Sequence, residues 1–186
     1  MIENEKISLR GVEMEDADLL YQWENDRNLW SVSNTLAPFS RHQIEQYVLM
    51  AQNNIYEVGQ LRLMIDVISE KQPFETIGMI DLFEFDALHQ RAGVGIMIHE
   101  KWRDKGMATS ALNLLCNYAF DTLGLHQMYC NISETNAASL HLFTKSGFEL
   151  IGVKKDWVRT KDGFVNELML QKIDPKERSD FRKWEL

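Results

Sequence analysis

The chain has 186 residues, of which 45% are apolar and 26% charged, and its formal net charge is -8. These proportions are typical of a folded domain and exclude a disordered or collagen-like chain. The negative charge argues against a nucleic-acid partner, because a nucleic-acid binder needs a basic face to neutralise phosphates. It gives modest support to a cationic small substrate.

Sequence features that report on location point to the cytoplasm. No apolar run approaches the roughly 20 residues that span a bilayer, and the first six residues are acidic where a signal peptide is basic and then apolar. We therefore expect no membrane partner. Cys116 and Cys130 lack C-x-x-C spacing and lie in apolar surroundings, which predicts buried free thiols.

The N-terminal part predicts one strand and two helices. Apolar and polar residues alternate at 7–10, as in a strand, and residues 16–23 then predict a helix with an acidic first turn. Ser40 is placed to cap a second helix at 41–52. Residues 25–37 predict a loop or a broken helix.

The middle of the chain predicts the centre of a sheet. Strands at 61–68 and 76–84 are separated by a polar connection at 69–73 and should pair antiparallel. The apolar run at 94–98 predicts a central strand buried on both faces. An amphipathic helix follows over 108–123.

The remainder alternates strand and helix again. The predicted elements are a strand at 128–132, a helix at 137–146, and strands at 150–158 and 164–172 around a turn at 161–163. These elements predict an α/β (α+β) fold, a mixed sheet flanked by helices. We expect one domain over residues 1–174 and a charged C-terminal tail at 175–186.

The loop between the central strand and the long helix carries Arg103, Lys105 and Gly106. A glycine permits a tight turn, and the unpaired amides and dipole of the following helix attract an anion, which the two basic residues reinforce. An ordinary strand-to-helix turn with solvated charges has the same composition. The loop alone therefore leaves both interpretations open.

Two motifs resolve this ambiguity. Arg103, Gly106 and Ala108 match motif A of the GNAT superfamily of N-acetyltransferases, and residues 131–148, ending in Lys-Ser-Gly-Phe after Asn136, resemble its motif B. The sequence is identified as a member of that superfamily, with the resemblance strongest over residues 76–148. It implies a mostly antiparallel mixed sheet and acetyl-coenzyme A (acetyl-CoA) as co-substrate.

The resemblance also implies a cofactor site in which loop amides bind the pyrophosphate and a strand edge holds the pantetheine. The implied cofactor-binding residues are Met97, Ile98, Arg103, Lys105, Gly106, Met107, Ala108, Thr109, Asn136 and Phe143. The five histidines show no metal-ligand spacing, so we predict no metal.

Acetylation of an amine requires removal of a proton, because an amine of pKa near 10 is neutral in only about one molecule per thousand at pH 7. Glu84, at the end of the strand beside the central one, is our candidate base, although a solvated strand-end carboxylate fits equally well. Asp81 and Glu100 are less favoured. An amide near Met97 could stabilise developing negative charge.

The general acid is harder to assign. Many members of the superfamily supply it as a tyrosine in the motif B helix, where this chain has Phe143, which cannot donate a proton. Ser139, one helical turn earlier, is a second catalytic candidate. A water, or no acid at all, is the alternative, and Ser139 then packs as a small polar residue beside the cofactor.

The acceptor has three interpretations. Residues 78–98 resemble bacterial spermidine N-acetyltransferases, including Glu84, which favours a polyamine, although residues 33–41 lack the acidic side chains of those enzymes. Acetyltransferases that act on protein N-termini, such as those of ribosomal proteins, often have a serine at the position of Ser139, which makes a protein N-terminus the runner-up. Phe143 would permit a non-catalytic acyl-CoA-binding module. A homo-oligomer is left open by the sequence.

Five aromatic residues fit either an acceptor pocket or, more commonly for such residues, the core. They are Trp23, Trp30, Phe39, Tyr47 and Phe83.

Overall fold

A computed structural model describes residues 2–33, 35–69 and 74–176. In this part of the chain, eight strands and six α-helices are formed. The strands are β1 (Ile2–Glu3), β2 (Ile7–Gly11), β3 (Leu61–Val67), β4 (Glu75–Asp86), β5 (Arg91–Ile98), β6 (Gln127–Ser133), β7 (Glu149–Thr160) and β8 (Gly163–Ile173). The helices are α1 (Ala17–Glu24), α2 (Arg27–Ser33), α3 (Arg41–Met50), α4 (Ile55–Val58), α5 (Met107–Asp121) and α6 (Ala137–Lys145).

The strands form one sheet in the order β1-β2-β3-β4-β5-β6-β8-β7. Neighbouring strands pair antiparallel except β5 and β6, which are parallel. The parallel pair is possible because α5 provides the crossover connection between β5 and β6. The predicted fold class, a mixed and mostly antiparallel sheet flanked by helices, is confirmed.

Both faces of the sheet are covered. The larger core packs β4 and β5 against α5, whose Leu112 and Leu115 are fully buried. A second core packs the other face against α1 and α3 around Trp23 and Val48. Burial on both faces explains why the central strand is an almost continuous apolar run.

The two cysteines belong to the larger core and are free thiols, as the sequence predicts. Burial raises the pKa of Cys116 to about 11 and that of Cys130 to about 12. Both thiols are therefore protonated at neutral pH, which makes them poor nucleophiles.

Several predicted boundaries are confirmed to within two residues. Ser40 caps α3 through a capping box, in which its hydroxyl accepts from the Gln43 amide and its own amide donates to the Gln43 side chain. The stretch predicted as loop or broken helix contains α2, whereas β1 and α4 are not anticipated.

Parts of three predicted segments lie outside the described residues: residue 34 of the loop or broken helix, residues 70–73 of the hairpin connection and residues 177–186 of the C-terminal tail. None of the described helices is both long and apolar enough to cross a membrane.

Candidate active site

The sheet opens between β5 and β6. These strands pair only from Arg91–Gly93 to Gln127–Tyr129. Beyond that point β5 continues to Ile98 paired with β4 alone, and β6 continues to Ser133 paired with β8 alone. Five residues of β5 rise by about 16 Å. The result is a cleft of about that depth, which is lined by two strand edges whose backbone groups make no ladder bonds across it.

Two helix N-termini lie at the open end of this cleft. Because β5 and β6 are parallel, their carboxyl ends point to the same edge of the sheet, and α5 and α6 begin there. Gly106, the N-cap of α5, has φ 77° and provides no side-chain cap. The amides of Met107, Ala108 and Thr109 in the first turn are therefore left to a ligand or to water, with the positive end of the helix dipole behind them.

The basic residues of the loop lie at the surface beside these amides. Arg103 is exposed, and its Nε donates to the Ile98 carbonyl oxygen at 3.1 Å. The Lys105 ammonium lies 4.6 Å from the centroid of the Trp102 ring. Unpaired amides, a positive helix end and two cations make this end of the cleft suitable for a phosphate group.

Met97 and Ile98, the predicted strand contacts of the cofactor, differ in the core that their side chains join. Met97 is partly buried and packs against the second core. Ile98 is 8% exposed within the larger core, so its backbone rather than its side chain can face the cleft.

The start of α6 also borders the open end. The Asn136 side chain accepts from the Ser139 amide at 3.1 Å, which caps the helix, and both residues are half-buried. Phe143 is 3% exposed, and its ring packs edge-on against Phe148 at a centroid distance of 5.0 Å. Phe143 thus serves the core, and its contact with the cofactor stays a prediction.

Glu84 lies at the closed end of the cleft. The pairing of β4 with β5 is irregular between the pairs Phe83–Gly93 and Asp86–Arg91, and Glu84, in this bulge, has φ 49°. The bulge redirects the exposed Glu84 side chain, and the Tyr129 hydroxyl donates a hydrogen bond to its Oε2. A carboxylate and a phenol therefore meet where β5 and β6 separate.

Close packing fixes this end of the cleft. A Cβ built on Gly93 would lie 2.3 Å from Cε2 of Phe83, so the Phe83 ring rests directly on the glycine backbone. The same ring packs edge-on to Tyr129 at a centroid distance of 6.2 Å. Any side chain at position 93 would displace the ring and disturb the Glu84–Tyr129 contact.

Tyr129 is the residue that the sequence analysis missed. Burial and the neighbouring Glu84 raise its pKa. The sequence carries a signal in the alternation of β6. Met128, Cys130 and Ile132 are apolar and lie buried in the larger core, so the residues between them face the opposite side of the sheet. That alternation identifies Tyr129 and Asn131 as facing the side that carries Glu84.

The less favoured base Asp81 is already engaged. The Arg62 guanidinium donates to both of its carboxylate oxygens, at 2.6 and 3.1 Å, and also contacts Glu24. Nearby Asp81 and Glu24 raise the pKa of Arg62 despite its burial. Asp81 therefore holds the α1 side of the sheet together. Glu100, the other less favoured base, is exposed directly after β5, at the end of the cleft opposite Glu84. Among the described residues, no three His, Cys, Asp or Glu side chains are grouped as metal ligands would be.

Comparison with known proteins agrees with this geometry. The Acetyltransferase (GNAT) domain model matches residues 6–149. The chain belongs to the GNAT acetyltransferase family. The matched residues include the loop between β5 and α5. The chain is therefore an acetyl-CoA dependent N-acetyltransferase.

Several of the similar proteins are spermidine N-acetyltransferases. Spermidine N(1)-acetyltransferase of Escherichia coli (strain K12) is 26% identical over 149 residues, covering 78% of this chain and 74% of that protein. Spermidine N-acetyltransferase of Vibrio cholerae, solved with CoA and spermine, superposes with a TM-score of 0.81 at 22% identity, covering 91% of this chain and 96% of that one. A dodecameric structure of the Vibrio cholerae enzyme gives a TM-score of 0.76 at 22% identity, covering 95% and 100%.

Proposed function

We propose that this N-acetyltransferase acetylates a primary amine of a polyamine such as spermidine. The observation that carries the proposal is the cleft itself, with a phosphate-suited loop at one end and the exposed Glu84 carboxylate at the other. Two relatives are spermidine N(1)-acetyltransferases, which supports a polyamine as the acceptor. The net charge of -8 also favours a polycation over an anion.

Each end of the cleft has its own role. The amides of Met107, Ala108 and Thr109, with Arg103 and Lys105 beside them, bind the pyrophosphate, and Gly106 lets it approach the backbone. The edge of β5 at Met97 and Ile98 holds the pantetheine by backbone hydrogen bonds, and Asn136 borders it from α6. Bound acetyl-CoA supplies the activated acetyl group.

Glu84 is the base in this proposal. It accepts a proton from the acceptor ammonium, so that the nitrogen lone pair becomes available for attack. Tyr129 orients the Glu84 carboxylate through its hydrogen bond. The departing thiolate takes its proton from Ser139, in the first turn of α6, or from water.

Two broader properties complete the proposal. The chain acts in the cytoplasm, a reducing compartment that suits its two buried free thiols. It assembles as a homo-oligomer, in keeping with the dodecameric Vibrio cholerae relative and with the exposed apolar residues of the edge strand β7.

The acceptor is tested by measuring thiol release from acetyl-CoA with spermidine, spermine, an aminoglycoside and short peptides bearing free N-termini. We expect turnover with the polyamines and little with the peptides. Turnover with peptides alone would move the assignment to protein N-termini. Binding of acetyl-CoA by calorimetry without thiol release from any acceptor would favour a non-catalytic role.

A further inference from the structure

Besides the cleft between β5 and β6, a cavity lies on the face of the sheet that carries Glu84. It has a volume of roughly 510 Å³ and separates α2 and the segment after it from the hairpin of β7 and β8. Trp30 and Leu36 line one side, and Trp157 and Glu167 line the other. Aromatic rings around a carboxylate are the surroundings that an alkylammonium group prefers.

A lysine of the protein already occupies this environment. The Lys154 ammonium donates to Oε2 of Glu167 at 2.7 Å and to Oδ1 of Asn131 at 3.0 Å, and it lies 5.4 Å from the centroid of the Trp157 ring. Lys154 and Glu167 are opposite each other in the β7–β8 pairing. The Glu167 side chain is only 12% exposed, so its charge needs a cation nearby.

The position of this group relative to the cleft is informative. Asn131 follows Tyr129 by two residues on β6 and faces the same side of the sheet. Two residues of a strand span about 7 Å. The Lys154 ammonium, bonded to Asn131, is therefore separated from the Glu84–Tyr129 pair by a distance that a short alkyl chain between two amines can bridge.

The geometry points to Glu167, Asn131 and Trp157 as the subsite for a second ammonium group of the acceptor, with Lys154 as a displaceable resident cation. This inference rests on the proposed function and adds a site for the non-reacting amine. Arg159 also lines the cavity, so a polyamine enters against two positive charges unless Lys154 moves away. Lys154 therefore weakens acceptor binding, because only the fraction of molecules with an open subsite can bind.

The first test compares Lys154→Met with Lys155→Met. Both changes remove one positive charge from the same strand, but Lys154 donates to Glu167 and Asn131, whereas Lys155 is exposed. We expect Lys154→Met to lower the KM for spermidine about threefold to tenfold with little change in kcat. Lys155→Met should leave both constants unchanged. Equal effects of the two variants on KM would overturn the inference.

Glu167→Gln provides the converse variant. Removing the carboxylate charge should raise the KM for spermidine about tenfold while changing the KM for butylamine, which has one amine, by less than twofold. A purely structural role would instead lower the melting temperature and impair both acceptors alike, and that result would overturn the inference.

Displacement of Lys154 is also measurable without turnover. Brief acetylation by an activated ester, read by mass spectrometry, reports the reactivity of Lys154 with Lys155 as the internal standard. Spermidine should increase labelling of Lys154 several-fold over Lys155, whereas magnesium chloride at equal ionic strength should not. If spermidine increases the labelling but is not acetylated, the subsite stands and the proposed polyamine activity fails. If spermidine is acetylated but leaves the labelling unchanged, the activity stands and the subsite is wrong.

Discussion

At the scale of single residues, the sharpest prediction concerns Glu84. Glu84→Gln keeps the shape of the side chain and removes its ability to accept a proton. We expect turnover to fall about 100-fold at pH 7 and to recover partly towards pH 10, because the acceptor amine then loses its proton to water without help. The measurement is kcat/KM for spermidine as a function of pH.

Asp86→Asn is the matched control, because Asp86 belongs to the same strand and its carboxylate is held by His89 and Arg91. It should leave the shape of the pH profile unchanged. A Glu84→Gln profile parallel to that of the wild type would remove Glu84 as base and leave it a solvated carboxylate.

The same residues show what the sequence can and cannot reveal about a site. Glu84 is visible as a carboxylate at the end of a strand, and Gly106 as the glycine of a known motif. The contact of Glu84 with Tyr129 is not visible, because it depends on a bulge that redirects one side chain, while the two residues are 45 positions apart. Lys154 and Glu167 meet through the register of a hairpin, which itself contains an irregularity.

At the scale of elements, the start of α5 can be tested with two glycines of similar conformation. Gly106 has φ 77° at the N-terminus of the helix, and Gly124 has φ 65° beyond its C-terminus, and neither has atoms within 4 Å of a built Cβ. Each glycine-to-alanine change should therefore cost a similar backbone strain of about 1 kcal/mol. Thermal unfolding should show a loss of about 2–4 °C for both variants.

Only Gly106→Ala should affect the cofactor, because its methyl group would lie where the pyrophosphate approaches the backbone. We expect the KM for acetyl-CoA to rise several-fold, with Gly124→Ala unchanged. Equal KM values in the two variants would show that the pyrophosphate does not bind at this helix end.

Elements were predictable from sequence where a local rule specifies them. The Ser40–Gln43 capping box marks the start of α3, and apolar periodicity marks α5. The two-residue strand β1 is too short to show alternation, and it exists only because β2 pairs with it. The opening between β5 and β6 is likewise a property of the assembled sheet, since neither strand carries a signal that pairing should stop at Gly93.

At the scale of the whole molecule, the sheet ends in one long edge strand. β7 is the last strand in the sheet order and has 12 residues. Its apolar side chains are unusually open, with Ile151 51% and Val153 48% exposed. Long apolar edge strands are prone to pair with another chain, which soluble proteins prevent by charge or by covering the edge. A second copy of this chain is the expected cover.

Combined Ile151→Lys and Val153→Lys changes should break such an assembly, because a lysine pair places like charges from both copies at the contact. Light scattering after size-exclusion chromatography should give an oligomer for the wild type and a smaller species for the double variant. Leu88→Lys is the control, since Leu88 is 85% exposed but lies in the turn between β4 and β5, away from the edge. An unchanged mass in the double variant would place the contact elsewhere, and a monomeric wild type at tens of micromolar would contradict the assembly itself.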